Sequence, residues 1–237
     1  MFSYKILFDI SSKKERQALI MSKKQGINFF IGIGLLVVFT VWTLLVQTVD
    51  VAPIGPGGST VGFATLNGYF HKAIGTNMTL YVITDWLGLV PILAASFFAF
   101  LGFVQLIKRK SIIRVDRSII VLGIFYIAVI FVFFFLERVV INYRPVLIEG
   151  VLEASYPSST TMLVTSVMAT AIAQCRERVK NKVAMRVLCI LISAFTVFMV
   201  LGRVISGVHW ITDIIGGLLV SSGLVFVYVG AAYKRNK

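Results

Sequence analysis

Charged residues are scarce in this chain of 237 residues. Asp, Glu, Lys and Arg together make up 14% of it, against about 25% in a typical soluble domain. Hydrophobic residues make up 58%, and a soluble fold of this size has too little interior to bury so much apolar surface. The composition therefore excludes an ordinary soluble enzyme or a disordered chain, and it indicates an integral membrane protein.

Cysteine and histidine are also rare, with two residues of each. The two cysteines, Cys175 and Cys189, lie in or beside apolar runs, so the chain does not have the pattern of a disulfide-stabilised scaffold. Its two histidines are His71 and His209, and no group of potential ligands has the spacing of a metal site. The sequence therefore predicts neither a metal nor another cofactor.

Long apolar runs replace the missing charge. A helix of about 20 residues crosses the hydrocarbon core of a bilayer, and six runs approach or reach that length. The fold class predicted is an all-α, polytopic membrane protein with six transmembrane helices. The fourth run is the shortest and carries several hydroxyl groups, so we expect it to be buried among the others. The six runs are 27–46, 87–107, 118–136, 160–175, 183–201 and 211–233.

The net charge of +13 has a topological explanation. Six alternating crossings place all but four of the 23 Lys and Arg residues on the side of the two chain termini. Basic residues collect in cytoplasmic segments, so we expect cytoplasmic termini in a cell-membrane protein and no nucleic-acid partner. The four exceptions, on the outer side, are Lys72, Arg138, Arg144 and Arg203.

The chain reads as one domain, residues 1–237, with two long segments outside the spans. The segment 1–26 lacks the apolar core of a cleavable signal peptide and is suited to lying on the inner leaflet as a basic amphipathic segment. The outer loop 47–86 contains a predicted short helix over 59–74, with Ser59 or Thr60 as its N-cap.

Three polar clusters fall on the outer face, at residues 137–145, 156–160 and 202–213. In the third, His209 and Asp213 are four residues apart and share a face. A carboxylate there can accept the Nδ1–H of the imidazole and leave Nε2 free as a nucleophile or base.

The other two clusters offer groups that bind anions. Arginine forks match phosphate oxygens, and the N-terminus of the fourth span is a favourable anion site. Taken singly, each cluster is a common structural feature. Their combination with His209 indicates phosphoryl transfer.

These residues resemble the type 2 phosphatidic acid phosphatase (PAP2) family of membrane phosphatases. That family carries the motifs K-x6-R-P, P-S-G-H and S-R-x5-H-x3-D. Arg144-Pro145 matches the end of the first motif and Pro157-Ser158 the start of the second. Arg203, His209 and Asp213 match the third at the correct spacing.

The resemblance implies a metal-free hydrolysis in two steps. His209 would attack phosphorus and form a phosphohistidine, Asp213 would orient the imidazole, and water would release phosphate. The substrate implied is a lipid phosphate in the outer leaflet, such as phosphatidic acid, phosphatidylglycerol phosphate or a polyprenyl diphosphate like undecaprenyl diphosphate. The predicted phosphate-binding residues are Arg138, Arg144, Ser158, Ser159, Thr160 and Arg203.

The chain departs from the family pattern at three places. Glu137 stands where the first motif has lysine, with Arg138 one residue late, and Gly202 stands where the third has serine. Ser159-Thr160 replaces the glycine and histidine of the second motif. That histidine normally protonates the leaving oxygen, and a diphosphate ester needs such help less. The departure favours a diphosphate substrate or a weak enzyme.

Three alternatives to a phosphatase remain open. A phosphotransferase on the same scaffold would pass the phosphoryl group to another hydroxyl. A catalytically impaired homologue would bind lipid phosphates without hydrolysing them. A small transporter or channel would be favoured by paired broken helices or charges buried within spans, and the sequence shows neither pattern.

Overall fold

The structure, a computed structural model, describes residues 2–232, with side chains from residue 23 onward. The amphipathic character predicted for 1–26 thus depends largely on side chains outside the described residues. The described part of the chain folds into eight α-helices. They are α1 (Phe2–Thr48), α2 (Ala64–Ile74), α3 (Met78–Leu87), α4 (Leu89–Arg109), α5 (Arg117–Arg138), α6 (Ser159–Arg178), α7 (Lys182–Ile205) and α8 (Ile211–Ala232).

The helices confirm the all-helical membrane architecture. Five segments within the described residues are long and apolar enough to cross a membrane, and in the second of them α3 and α4 follow each other almost without a break. The remaining predicted span, the fourth (160–175), corresponds to α6, which is not among these five. The five are Lys23–Thr48, Met78–Arg109, Arg117–Arg138, Lys182–Ile205 and Ile211–Ala232.

Helix α6 lies at the centre of the bundle and packs against α4, α5, α7 and α8. Its polar residues Thr161, Ser166, Thr170 and Gln174 are completely buried. The Thr170 hydroxyl donates to backbone carbonyls of its own helix, which satisfies it without water. The expectation that this segment is surrounded by other helices is confirmed.

Helix α1 packs along α8 at close range. At Gly32 an added Cβ would lie 2.6 Å from the backbone nitrogen of Val227, so only glycine allows this approach. Further along the two helices, Nε1 of Trp42 donates to the carbonyl of Thr212 at 3.2 Å, so a later part of α1 lies against the start of α8.

The predicted N-cap of the short helix is wrong. Helix α2 begins at Ala64, its N-cap position is Phe63, and no side chain caps it. The residues before α2 form a different structure, in which Ala52 and Val61 exchange two backbone hydrogen bonds of 3.1 and 2.9 Å. This antiparallel turn holds Ser59 and Thr60 in extended chain and delays the helix.

The second apolar segment also begins earlier than predicted. Helix α3 begins at Met78, inside the predicted loop 47–86. Its N-cap is Asn77, whose side-chain oxygen accepts the N–H of Leu80 at 2.9 Å. Thr84 and Asp85 interrupt the apolar sequence shortly before Leu87, which hides this helix from a search for apolar runs, and the helix proves important for the site.

The two ends of the bundle differ in their polar contacts. At one end Asp116 forms ion pairs with Arg109 and Arg178, at 2.8 and 3.0 Å. At the other end the segments that follow α5 and α7 meet the starts of α6 and α8. The three predicted polar clusters come together at this second end.

Candidate active site

His209 lies at the centre of the polar cluster, in the turn between α7 and α8. It is 5% exposed. Its Nε2 lies 3.2 Å from Nη1 of Arg144 and 3.3 Å from Nη2 of Arg203. Guanidinium groups only donate hydrogen bonds, so Nε2 accepts and carries a lone pair. The structure thus brings together three of the residues predicted for the site: Arg144 from the α5–α6 connection, Arg203 from the last turn of α7 and His209 from the α7–α8 turn.

The other ring nitrogen of His209 has a different partner from the one expected. Nδ1 lies 3.2 Å from the carbonyl oxygen of Ser155 and 3.7 Å from Oδ2 of Asp213. The Nδ1–H therefore donates to the Ser155 carbonyl, and Asp213 lies just beyond hydrogen-bonding distance. The expected direct bond is absent, and Oδ2 of Asp213 instead accepts the backbone N–H of Trp210 at 2.9 Å.

The surroundings of His209 favour its neutral form. Burial, followed by the positive charges of Arg144 and Arg203, lowers the pKa of the imidazole well below its usual value of 6.5, although the hydrogen bond to Ser155 opposes the shift. A neutral ring with its proton on Nδ1 leaves the Nε2 lone pair available at neutral pH. That is the state a nucleophile requires.

Asn142 is a site residue to which the sequence assigned no role. It is completely buried, its Nδ2 lies 3.4 Å from Oδ1 of Asp213, and its side-chain oxygen accepts the N–H of Gly62 at 3.4 Å. It precedes Arg144 by two residues, which is the only sequence signal for it. Ser155 contributes through its backbone carbonyl, which no side-chain pattern reveals.

A cavity of about 400 Å³ opens beside His209. Its polar wall includes Arg144, His209 and Ser159 with the carboxylates of Glu137 and Glu153, and its apolar wall is formed largely by α5 and α6. Arg144 is anchored there, because its Nε lies 2.9 Å from Oε2 of Glu153. The apolar residues from the two helices are Phe133, Leu136 and Met162.

The remaining predicted phosphate-binding residues are placed unequally. Ser159 lines the cavity, whereas Thr160 is not among its lining residues. Ser158 is completely buried and caps α6 by accepting the N–H of Thr161 at 3.4 Å. Its own N–H donates to the carbonyl of Asp213 at 3.0 Å, so in this structure that amide is already engaged.

Arg138 does not reach the cavity. It is the exposed last residue of α5, and its neighbour Glu137 lines the cavity instead. Leu136 and Glu137 both line the cavity, whereas Arg138, the next residue, is not among its lining residues. The position of the missing motif lysine is therefore occupied by a carboxylate.

The C-terminal part of the chain, which contains most of these residues, resembles a known protein family. Residues 138–237 match the family model described as PAP2 superfamily. This part of the chain is therefore similar to the PAP2 superfamily. The resemblance predicted from the motifs is confirmed. No curated protein matches the chain in sequence.

One solved structure extends the comparison beyond residues 138–237. It is the crystal structure of a transmembrane PAP2-type phosphatidylglycerolphosphate phosphatase from Bacillus subtilis, with a TM-score of 0.59 and 15% sequence identity. The match covers 84% of this chain and 93% of that one. At this identity the likeness concerns the fold.

Proposed function

We propose that the protein is a membrane phosphatase that hydrolyses a phosphorylated lipid through a phosphohistidine intermediate. The observation that carries the proposal is the buried, neutral His209, whose Nε2 lone pair faces two arginine forks at 3.2 and 3.3 Å. The match of residues 138–237 to the PAP2 superfamily model supports lipid phosphatase activity in general.

The geometry suits a two-step reaction. Substrate phosphate oxygens replace Nε2 as acceptors of the guanidinium N–H groups, which places phosphorus next to the lone pair. Nε2 bonds to phosphorus, the bond from phosphorus to the lipid oxygen breaks, and that oxygen leaves with the electron pair. The ring becomes cationic with its Nδ1–H still held by Ser155, and the carboxylate of Asp213, 3.7 Å away, stabilises the positive charge.

Water completes the cycle. It attacks phosphorus from the side opposite Nε2, the nitrogen–phosphorus bond breaks, and inorganic phosphate leaves. His209 thereby regains its lone pair. The proposed steps use no metal or cofactor. The lipid oxygen takes its proton from water, since Thr160 stands where the family has its acid.

The cavity supports a lipid substrate. Its polar end at Arg144 and His209 suits a phosphate, and its wall between α5 and α6 suits an apolar chain. The missing acid favours a polyprenyl diphosphate over phosphatidic acid, because a diphosphate ester expels a weaker base.

The charge distribution supports an orientation. Basic residues cluster at the bundle end opposite the site, so we propose cytoplasmic termini and a site in the outer leaflet of the cell membrane.

A lipid-phosphate-binding homologue without turnover is the second candidate. It is favoured by one observation: among the described residues that line the cavity, His209 is the only histidine. In this candidate Arg144 and Arg203 would hold the phosphate, and His209 would not attack it.

Phosphate release separates the two candidates. Full-length protein in detergent is incubated with phosphatidic acid, phosphatidylglycerol phosphate and a polyprenyl diphosphate, and free phosphate is measured. We expect release by the wild type, none by His209→Ala, and release retained by His71→Gln, the control at the other histidine. Equal release by wild type and His209→Ala would refute the proposal, and binding of lipid phosphate vesicles without any release would favour the second candidate.

A further inference from the structure

The two arginines at His209 pose an electrostatic problem. Arg144 and Arg203 are 8% and 1% exposed, and a nitrogen of each approaches the same atom of His209. Like charges repel more strongly when they are removed from water. Something in the fold must hold both guanidinium groups in place when no phosphate is bound.

Tyr81 of α3 lies against both of them. The central carbon of the Arg203 guanidinium is 4.8 Å from the centre of the Tyr81 ring, and that of Arg144 is 5.7 Å away. Both distances are within the range of about 6 Å over which the electron-rich face of an aromatic ring attracts a cation. One ring therefore contacts the two cations at once and offsets their repulsion.

The same helix supplies two further contacts to Arg203. Its Nη1 donates to the hydroxyl of Thr84 at 3.4 Å and lies 3.8 Å from Oδ1 of Asp85. Tyr81, Thr84 and Asp85 are spaced three and four residues apart, so they share one face of α3. That face is turned toward the arginine pair.

The absence of a side chain at Gly202 of α7 allows α3 to approach Arg203 closely. A Cβ at this position would lie 2.6 Å from Cγ2 of Thr84, so a side chain there would push α3 away. The departure of Gly202 from the serine of the family motif is thus matched by the methyl group of Thr84. Helix α3 lies outside residues 138–237, the part that the family model matches.

From these contacts we infer that α3 is part of the phosphate site and that Tyr81 is a positioning residue, whose ring holds Arg144 and Arg203 side by side for an oxyanion. The inference rests on the proposed function insofar as the oxyanion is the phosphate of the substrate. It concerns anion binding, however, and can be measured without turnover.

Orthovanadate, which has the charge and geometry of a phosphoryl group in transfer, is the probe. Its affinity for the full chain in detergent is measured by calorimetry for the wild type, Tyr81→Phe and Tyr81→Leu. We expect Phe to stay within about twofold of wild type, because it keeps the ring. Leu should weaken binding by about 2- to 30-fold, the range of a cation–aromatic contact.

A fluorinated series removes the ambiguity of misfolding. Phenylalanine carrying one, two or three fluorine atoms is introduced at position 81, which keeps the size of the ring and progressively weakens its negative face. Vanadate affinity should fall stepwise with each fluorine. The same series at Tyr69, which is 71% exposed on α2, is the control and should leave affinity unchanged.

Each outcome decides the inference. A vanadate affinity that does not change with fluorination at position 81 would overturn the inference about Tyr81. A wild-type protein that does not bind vanadate would overturn it as well. Stepwise loss of vanadate affinity in a protein that hydrolyses no lipid would support the inference while the proposed function fails. Lipid hydrolysis and vanadate affinity that are both insensitive to fluorination would leave the proposed function standing and refute the role of Tyr81.

Discussion

The parts of the chain before and after residue 138 contribute differently to the site. The C-terminal part supplies the groups proposed to react or to hold phosphate: His209, Asp213, Arg144 and Arg203. The N-terminal part supplies none of these, yet Tyr81 lies against both arginines. Short motifs thus mark the chemistry, whereas the positions of those groups depend on helices that carry no motif.

The N-terminal part also holds the starts of α6 and α8. The Thr43 hydroxyl lies 2.7 Å from the hydroxyl of Tyr156, two residues before the N-cap of α6. Asn67 donates to the hydroxyl of Thr212 at 3.0 Å, in the first turn of α8. We therefore expect substitutions in the two parts to have effects of different magnitude on activity.

We expect the largest difference in lost activity between substitutions of two carboxylates, Asp213 and Asp85. Asp213→Asn removes a buried charge beside the imidazole, and we expect kcat to fall by about 10²-fold or more. Asp85→Asn removes a 3.8 Å contact from an aspartate whose side chain is 59% exposed, and exposed ion pairs contribute little. We expect a loss of a few-fold at most. Steady-state phosphate release measures both, and equal losses would contradict the division between the two parts.

Replacing Gly202 by the serine of the family motif should lower activity, because Gly202 lies where the two parts of the chain meet. Gly202→Ser introduces a Cβ 2.6 Å from Cγ2 of Thr84, and overpacking of this kind costs about 1–3 kcal/mol. We expect roughly tenfold lower kcat/KM because Arg203 moves with α7.

The matched rescue is the double variant Gly202→Ser with Thr84→Ser. It removes the offending methyl group and keeps the hydroxyl that Arg203 contacts, so phosphate release should recover. A fully active Gly202→Ser protein would show that the contact between α3 and α7 does not position the arginine.

A smaller gain is expected from rebuilding the second motif within the C-terminal part. Ser159→Gly with Thr160→His restores the family's acid, and we expect a several-fold increase in hydrolysis of phosphatidic acid. A polyprenyl diphosphate should gain less, because its leaving group needs less protonation. Initial rates on the two lipids test this, and equal gains would remove the leaving-group argument.

The smallest expected effect is in the pH profile of kcat/KM. An imidazole with the usual pKa near 6.5 would be about three-quarters protonated at pH 6 and unable to attack. Burial and the two arginines lower the pKa of His209, so it stays neutral there, and its activity is lost only as pH falls further. We expect kcat/KM at pH 6 to stay within about twofold of its value at pH 7.5. A loss centred on pH 6.5 or above would contradict the proposed surroundings of His209.

Much of the fold follows from the sequence, because long apolar runs at helical length can only be helices in a bilayer. The convergence of three clusters follows too, since alternating crossings fix which connections share a face. Helix α3 was missed at its start because Thr79, Thr84 and Asp85 interrupt its apolar character. The N-cap of α2 was missed because a pair of backbone hydrogen bonds between Ala52 and Val61 takes precedence over local capping.

Within the site, the residues of the third motif were predictable and their partners were not. His209, Asp213 and Arg203 are marked by spacing, and the structure brings them together. The Ser155 carbonyl on Nδ1 of His209 and the ring of Tyr81 on the arginines depend on contacts between distant segments. Such contacts leave no trace in a single sequence.

The central claim is that Nε2 of His209 becomes covalently phosphorylated. The most direct test is rapid quenching of the wild-type protein with a lipid that it hydrolyses, labelled on the transferred phosphate, followed by digestion and mapping of the label. We predict a label that is stable in alkali, labile in acid, located on the peptide that contains His209 and absent from His209→Ala. Rapid release of phosphate with no labelled protein at any time, or with the label on another residue, would contradict the account.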